Sequence, residues 1–174
     1  MNPELERFLT LFEGIALSTD KWMAATPADK LDWTPVDNPN MKFGDRISTI
    51  TIRSVFVHVI VGECWWASTY KDCEDGEVFT ATPNPELTDK LMKSTDLVGD
   101  ARKLHEENMD HFRNYTDEQL DKKITWMGRE WTVMGFLWAI YSHRSYHLGN
   151  MDIYLREADA VAPDFFSSFQ PVMA

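Results

Sequence analysis

The run SVFVHVIVGECWW, residues 54–66, is apolar nearly all the way round when wound as a helix. A helix with one apolar stripe can lie on a surface, but one without a polar face needs neighbours on several sides. The segment therefore dictates a bundle of which it is an inner member. Two of its residues are out of character. His58 sits at its centre, and Gly62 follows one turn later, where glycine costs about 1 kcal/mol relative to alanine. The missing side chain leaves space beside His58 for a ligand or a closely packed helix. A buried imidazole without a partner is costly. His58 is thus either a core histidine bonded to a neighbour or one of several groups sharing a ligand.

The rest of the chain supplies the neighbours. Residues 3–25 read as a first helix, capped by Asn2, begun by Pro3 and favoured by Glu4 and Glu6 at its positive end. Leu5, Phe8, Phe12, Ile15 and Trp22 form its buried stripe, and Thr26-Pro27 ends it. The connector LDWTPVDNPNMKFGDR (31–46) has no period, and connectors this long often line a site. The inner helix starts between 48 and 51 and runs to about Tyr70. After a polar connector at 71–84, Asn84-Pro85 opens a third helix expected to reach Asn114 or Tyr115. Leu91, Val98, His105 and Phe112 mark its apolar face, and His111 falls at the edge. Ile124 and Trp126 alternate with polar residues in KKITWMGREWT (122–132), a short hairpin turning at Met127-Gly128-Arg129-Glu130. The fourth helix starts near Thr132 and runs to about Glu157. The tail, with Pro163, Phe165, Phe166 and Phe169, packs back as a short helix or extended segment. Residues 1–174 are expected to form a single domain of all-α class: a four-helix bundle with a short β-hairpin before the last helix.

The last helix carries the sharpest chemical signal, YSHRSYHLGNMDIYLRE at 141–157. His143 and His147 are one turn apart on one face, with Cβ atoms roughly 5–6 Å from each other, close enough for both imidazoles to reach one metal ion. Steps of seven from the two histidines fall on Phe136, Ile140, Asn150 and Tyr154, so the stripe is the buried one. Two core histidines with separate hydrogen bonds remain the plainer alternative. His105, in the charged segment RKLHEEN, reads as a semi-exposed histidine or an additional ligand.

Composition removes several functional classes. The formal net charge is −11 and no basic cluster appears, which argues against nucleic acid and against an anionic membrane surface. No apolar run reaches the ~18 residues of a membrane span. Cys64 and Cys73 are the only cysteines and make no CxxC, so a reducing cytoplasm is the expected compartment. The first residues carry Glu4 and Glu6 where a secretory signal would carry positive charge.

LDWTP at 31–35, HVIVGECWW at 58–66, HRSYHLGNMDIYLR at 143–156 and a hairpin feeding the last helix together resemble the DinB/YfiT-like superfamily, across essentially the whole chain. The resemblance implies an up-down-down-up bundle in which the second and third helices run parallel, joined by a crossover at 71–84. It also implies a metal held by His58, His143 and His147. Tyr146 stands where many members carry a further histidine. Three neutral imidazoles suit Zn, Ni, Fe or Co and leave positions open for water or substrate. Asn150, one turn from His147, is placed to orient it; Glu63, five residues from His58, points roughly 140° away round the helix.

The function this implies is that of a metal-dependent enzyme acting on small molecules. A thiol-dependent S-transferase using a low-molecular-weight thiol as co-substrate comes first, and a hydrolase that activates water second. The alternative is a non-catalytic bundle binding metal or a small ligand in a stress or sensing role. No general base is identified; Tyr141, Tyr146, Asp45 and Glu130 are the polar groups expected near the pocket. Pairing of two copies through a helix face, a homodimer, is the expected assembly.

Overall fold

The structure, a computed structural model, describes residues 2–34 and 50–169. Its long helices are α1 (Pro3–Ala25), α2 (Ile52–Tyr70), α4 (Leu97–Arg113) and α6 (Val133–Glu157). A short α3 (Pro85–Met92) precedes α4, and a one-turn α5 (Asp117–Asp121) follows it. The start of each long helix is chemically marked. Asn2 accepts from the backbone of Glu4 and Leu5, Thr51 and Ser54 form a reciprocal capping box, Asp96 accepts from Gly99, and Thr132 from Gly135. Such caps are each worth about 1 kcal/mol.

Contacts between side chains give the directions. Glu4 reaches Trp138 and Trp22 reaches Asp152, so α1 and α6 run parallel. Trp66 packs on Phe136, and His58 lies by His143, so α2 opposes α6. Asn108 meets Cys64, and Tyr115 meets Ala67, so α4 runs with α2. Arg102 meets Asp20 and Phe112 packs on Phe8, so α4 opposes α1. The bundle is up-down-down-up, as the resemblance implies. Each long helix touches two others strongly, α1 on α6 and α4, α2 on α4 and α6. The buried core runs from Phe8 and Phe12 through Phe56 and Ile60 to Leu137 and Ile140. No helix among the described residues is long and apolar enough to cross a membrane.

The third helix differs from its expected form. It breaks at Lys93, and Asp96 caps a new start at Leu97; the polar run KSTD favours capping bonds over a continued helical ladder. The connector at 71–84 also holds structure that alternation did not reveal. Glu77–Phe79 forms β1, which pairs parallel with β2 (Lys123–Trp126), and β2 pairs antiparallel with β3 (Arg129–Thr132). The hairpin turns on two residues rather than four. Met127 and Gly128 both take positive φ, 50° and 71°, the geometry of the turn whose twist matches the flanking strands, and glycine adopts it without a steric penalty. The tail packs back as expected: a 3-10 turn at Phe165–Ser168 lies on α1, and the Phe169 ring rests against Gly14.

One polar seam crosses this apolar interior. Arg144 on α6 and Glu63 on α2 are both fully buried, with Nη1 and Oε2 2.5 Å apart. Arg144 Nε also donates to Thr19 on α1 at 3.1 Å, so one guanidinium joins three helices. Glu63 Oε1 and Arg144 Nη2 have no hydrogen-bond partner among the described residues. Breaking such a pair leaves an uncompensated buried charge. Arg144→Ala is therefore expected to lower the unfolding free energy by about 3–5 kcal/mol in urea with EDTA present. A loss below about 1 kcal/mol, the range of exposed pairs, would contradict the placement.

Candidate metal centre

The antiparallel seam of α2 and α6 brings three histidines to one place. His147 Nε2 lies 3.1 Å from His143 Nε2, which lies 3.3 Å from His58 Nε2. One nitrogen from each ring falls within 4.8 Å of the others, and the trio could hold a metal ion. In a tetrahedral zinc site with Zn–N near 2.0–2.1 Å, neighbouring nitrogens are separated by about 3.3–3.4 Å. The observed spacings match two edges of that figure. Hydrogen bonds alone serve the arrangement poorly, because a single nitrogen of His143 faces two others and one N–H satisfies only one of them.

The surroundings disfavour protonation of His143 and His147. His147 is 4 % exposed, and its Nδ1–H donates to Asn150 Oδ1 at 3.2 Å, which turns Nε2 toward His143. Asn150 thus occupies the orienting position expected of it. His143 Nδ1 is buried with no hydrogen-bond partner among the described residues. Nothing on that side of the ring fixes its tautomer, so the shared point on the other side is left to do so. Trp66 stands edge-on to His143, ring centroids 5.0 Å apart. It also fills the space beside Gly62, where an added methyl would meet Trp66 carbons at 3.6 Å. The gap expected beside His58 belongs to this indole. Burial pushes the His143 imidazole down to about 3, with His147, His58 and Arg144 adding to the effect; burial lowers His147 as well.

The other polar candidates divide cleanly. His105 is buried, 2 % exposed, rather than semi-exposed, and stands apart from the trio. Its Nε2 meets Glu13 Oε2 at 2.9 Å, and Arg102 holds the other oxygen of that carboxylate at 2.6 Å. Glu63, as its spacing indicates, turns away from His58 and pairs with Arg144. Tyr146 is largely exposed, though its ring lies 5.1 Å from that of His147. Glu130 pairs with Lys123 on the outside of the hairpin. Asp45 lies outside the described residues.

A cavity of about 340 Å3 reaches His143 from the hairpin, walled by Trp66, Trp126, Trp131 and Phe136 with Arg129 at its rim. Nothing local in the sequence locates this cavity. Its walls come from three separated segments, and only the hairpin's contact with α6 unites them.

No protein-family model matches the chain, and no curated protein does. Solved structures do. A Bacillus subtilis protein, YfiT, described as a probable metal-dependent hydrolase with an unusual four-helix bundle topology, matches with a TM-score of 0.66 and 15 % identity over 90 % of this chain and 88 % of that one. A DinB-like protein of Bacillus subtilis matches with a TM-score of 0.64 and 20 % identity over 98 % of this chain and 100 % of that one.

The histidine environment predicts a pH dependence. An ordinary histidine near 6.5 takes up a proton in the unfolded chain, whereas folded His143 resists protonation down to about 3. Between those values the unfolded state binds more protons, so stability falls as pH falls through this window. In EDTA, the stability of the unmodified chain relative to His143→Gln is therefore expected to decline from pH 6.5 toward pH 3, followed by thermal unfolding. A difference that stays constant would contradict a half-buried imidazole that resists protonation. The helical order, the crossover and the hairpin-fed last helix make up a fold that the chain shares with YfiT and with the DinB-like protein.

Proposed function

We propose that His58, His143 and His147 bind one divalent transition-metal ion, zinc, nickel or iron, and that the protein is a metal-dependent enzyme acting on small molecules. The observation that carries this reading is the convergence of three imidazole nitrogens at 3.1 and 3.3 Å from two opposed helices. Three nitrogen donors with no fourth protein ligand among the described residues correspond to a catalytic rather than a structural centre. When bound, such an ion supplies Lewis-acid chemistry, polarising a carbonyl and lowering the pKa of a coordinated water or thiol.

The chain's own groups supply the rest. Asn150 holds His147 in the tautomer that presents its Nε2 lone pair. Burial disfavours protonation of His143 and His147, so protons compete poorly for those ligand atoms. Trp66 and Phe136 screen the His143 side of the cavity from water, which strengthens electrostatic interactions within it. Likeness to the fold of YfiT supports hydrolysis as the first reaction to test. Transfer of a low-molecular-weight thiol, a co-substrate for the same centre, is the second.

Protein purified without a chelating tag is expected to carry about one transition-metal ion per chain by elemental analysis, and His143→Ala almost none. Asn150→Ala is expected to weaken metal affinity about 10- to 100-fold with unfolding behaviour little changed. Ester and lactone hydrolysis, and thiol conjugation to electrophiles, are then compared with and without EDTA. Turnover that EDTA removes and zinc or nickel restores supports the enzyme. A metal-loaded protein inert in every assay is a binding or sensing bundle, and metal content unchanged by His143→Ala removes the centre.

A further inference from the structure

The hairpin carries its residues on two faces, and the pairing register assigns them. Trp126 stands opposite Arg129, and Ile124 opposite Trp131; cross-strand partners share a face. Ile124 is fully buried, so this face is turned to the bundle. Lys123 and Glu130 occupy the outer face and pair with each other at 3.1 Å. Arg129 therefore shares the aromatic face of the sheet, where it is solvent-exposed at the mouth of the cavity. Among the described residues no carboxylate pairs with it, in a chain whose net charge is −11.

The cavity extends from this arginine to His143. Trp131 and Trp126 lie 5.7 and 6.1 Å from Phe136, and Trp66 lies 5.8 Å from it, ring centre to ring centre. From Phe136 to His143 the helix rises about 10 Å, the length of one ring with a short chain. The volume sits at the low end of small-molecule sites, about 300–1,000 Å3. A guanidinium beside indole rings offers a planar fork that matches a carboxylate and lies well on aromatic faces. A single cation suits a monoanion; a doubly charged phosphate would call for further donors.

We infer that this pocket binds a small carboxylate: its acid group on Arg129, its ring or alkyl body among Trp66, Trp126, Trp131 and Phe136, its far end toward His143. Which end reacts rests on the reading of the histidines as a metal centre; the carboxylate preference rests on Arg129. A competing role for the arginine exists. β3 is the edge of the sheet, and inward-pointing charges on edge strands block pairing between molecules.

The test titrates 3-phenylpropionate and its neutral amide against the full chain, zinc-loaded and EDTA-treated, following tryptophan fluorescence. The acid is expected to bind about tenfold more tightly than the amide in both preparations, the scale of a charge-assisted hydrogen bond. Arg129→Gln is expected to abolish the preference with amide affinity and circular dichroism unchanged, and Arg129→Lys to retain part of it. Equal affinities in the EDTA-treated protein, no measurable binding of the acid, or a preference surviving in Arg129→Gln would overturn the inference. A preference present only with zinc and indifferent to Arg129 would place the carboxylate on the ion, sinking this inference while supporting the metal centre. A preference lost in Arg129→Gln in a chain that takes up no metal would do the reverse. If Arg129→Gln changes only self-association, the residue guards the edge and the inference fails.

Discussion

Polar side chains on the packed face of a helix have little solvent to turn to, so each needs a partner across a seam. In α2 the partners come from α6. Because the two helices run antiparallel, residues 58 and 63 of one face residues 147, 143 and 144 of the other. Two solutions to the same problem therefore sit side by side. Glu63 and Arg144 neutralise each other in a buried ion pair, and His58, His143 and His147 gather their nitrogens at one point. The first fixes the register of α6 against α2. With that register fixed, the histidines have no freedom to separate without moving charge through the core.

The two solutions differ in chemistry. Arg144 is held in place by Glu63 on one side and Thr19 on the other. Burial pushes the Glu63 carboxyl up to about 7 against the pull of Arg144, a tension that a pair with unmet hydrogen-bonding atoms would show. His143 relieves burial differently, by staying neutral. A neutral ring with its lone pair turned inward is what a metal ion requires of a ligand. The same desolvation that would destabilise a charged histidine prepares an uncharged one for coordination.

Much of this was legible in the sequence because it depends on local pattern. Helix boundaries followed caps and prolines, as at Asn2-Pro3, Thr51 and Thr132, and the HxxxH spacing alone put two rings on one face. The direction of the third helix and the addition of His58 came from resemblance, since nothing local says which helix α6 will oppose. Tertiary features escaped. β1 is three residues whose pairing exists only because β2 lies alongside. The break at Lys93 turned on capping residues within an otherwise helical pattern. Glu63 gave a readable sign, a lone acid in a wholly apolar helix, which implies a buried cation somewhere; only the fold names Arg144. His105 was misjudged because its charged neighbours in sequence point to solvent while its own face meets Glu13.

Convergence of the three imidazoles is most directly tested by X-ray absorption spectroscopy of the zinc-loaded chain, with His58→Ala, His143→Ala and His147→Ala alongside. Coordination by all three rings gives a first shell of nitrogen and oxygen at about 2.0–2.1 Å with the multiple-scattering signature of three imidazoles, reduced by one in each variant that still binds. A sulfur shell near 2.3 Å from Cys64 or Cys73, or an imidazole count untouched by replacing His58, would show that the ion sits elsewhere and would contradict it.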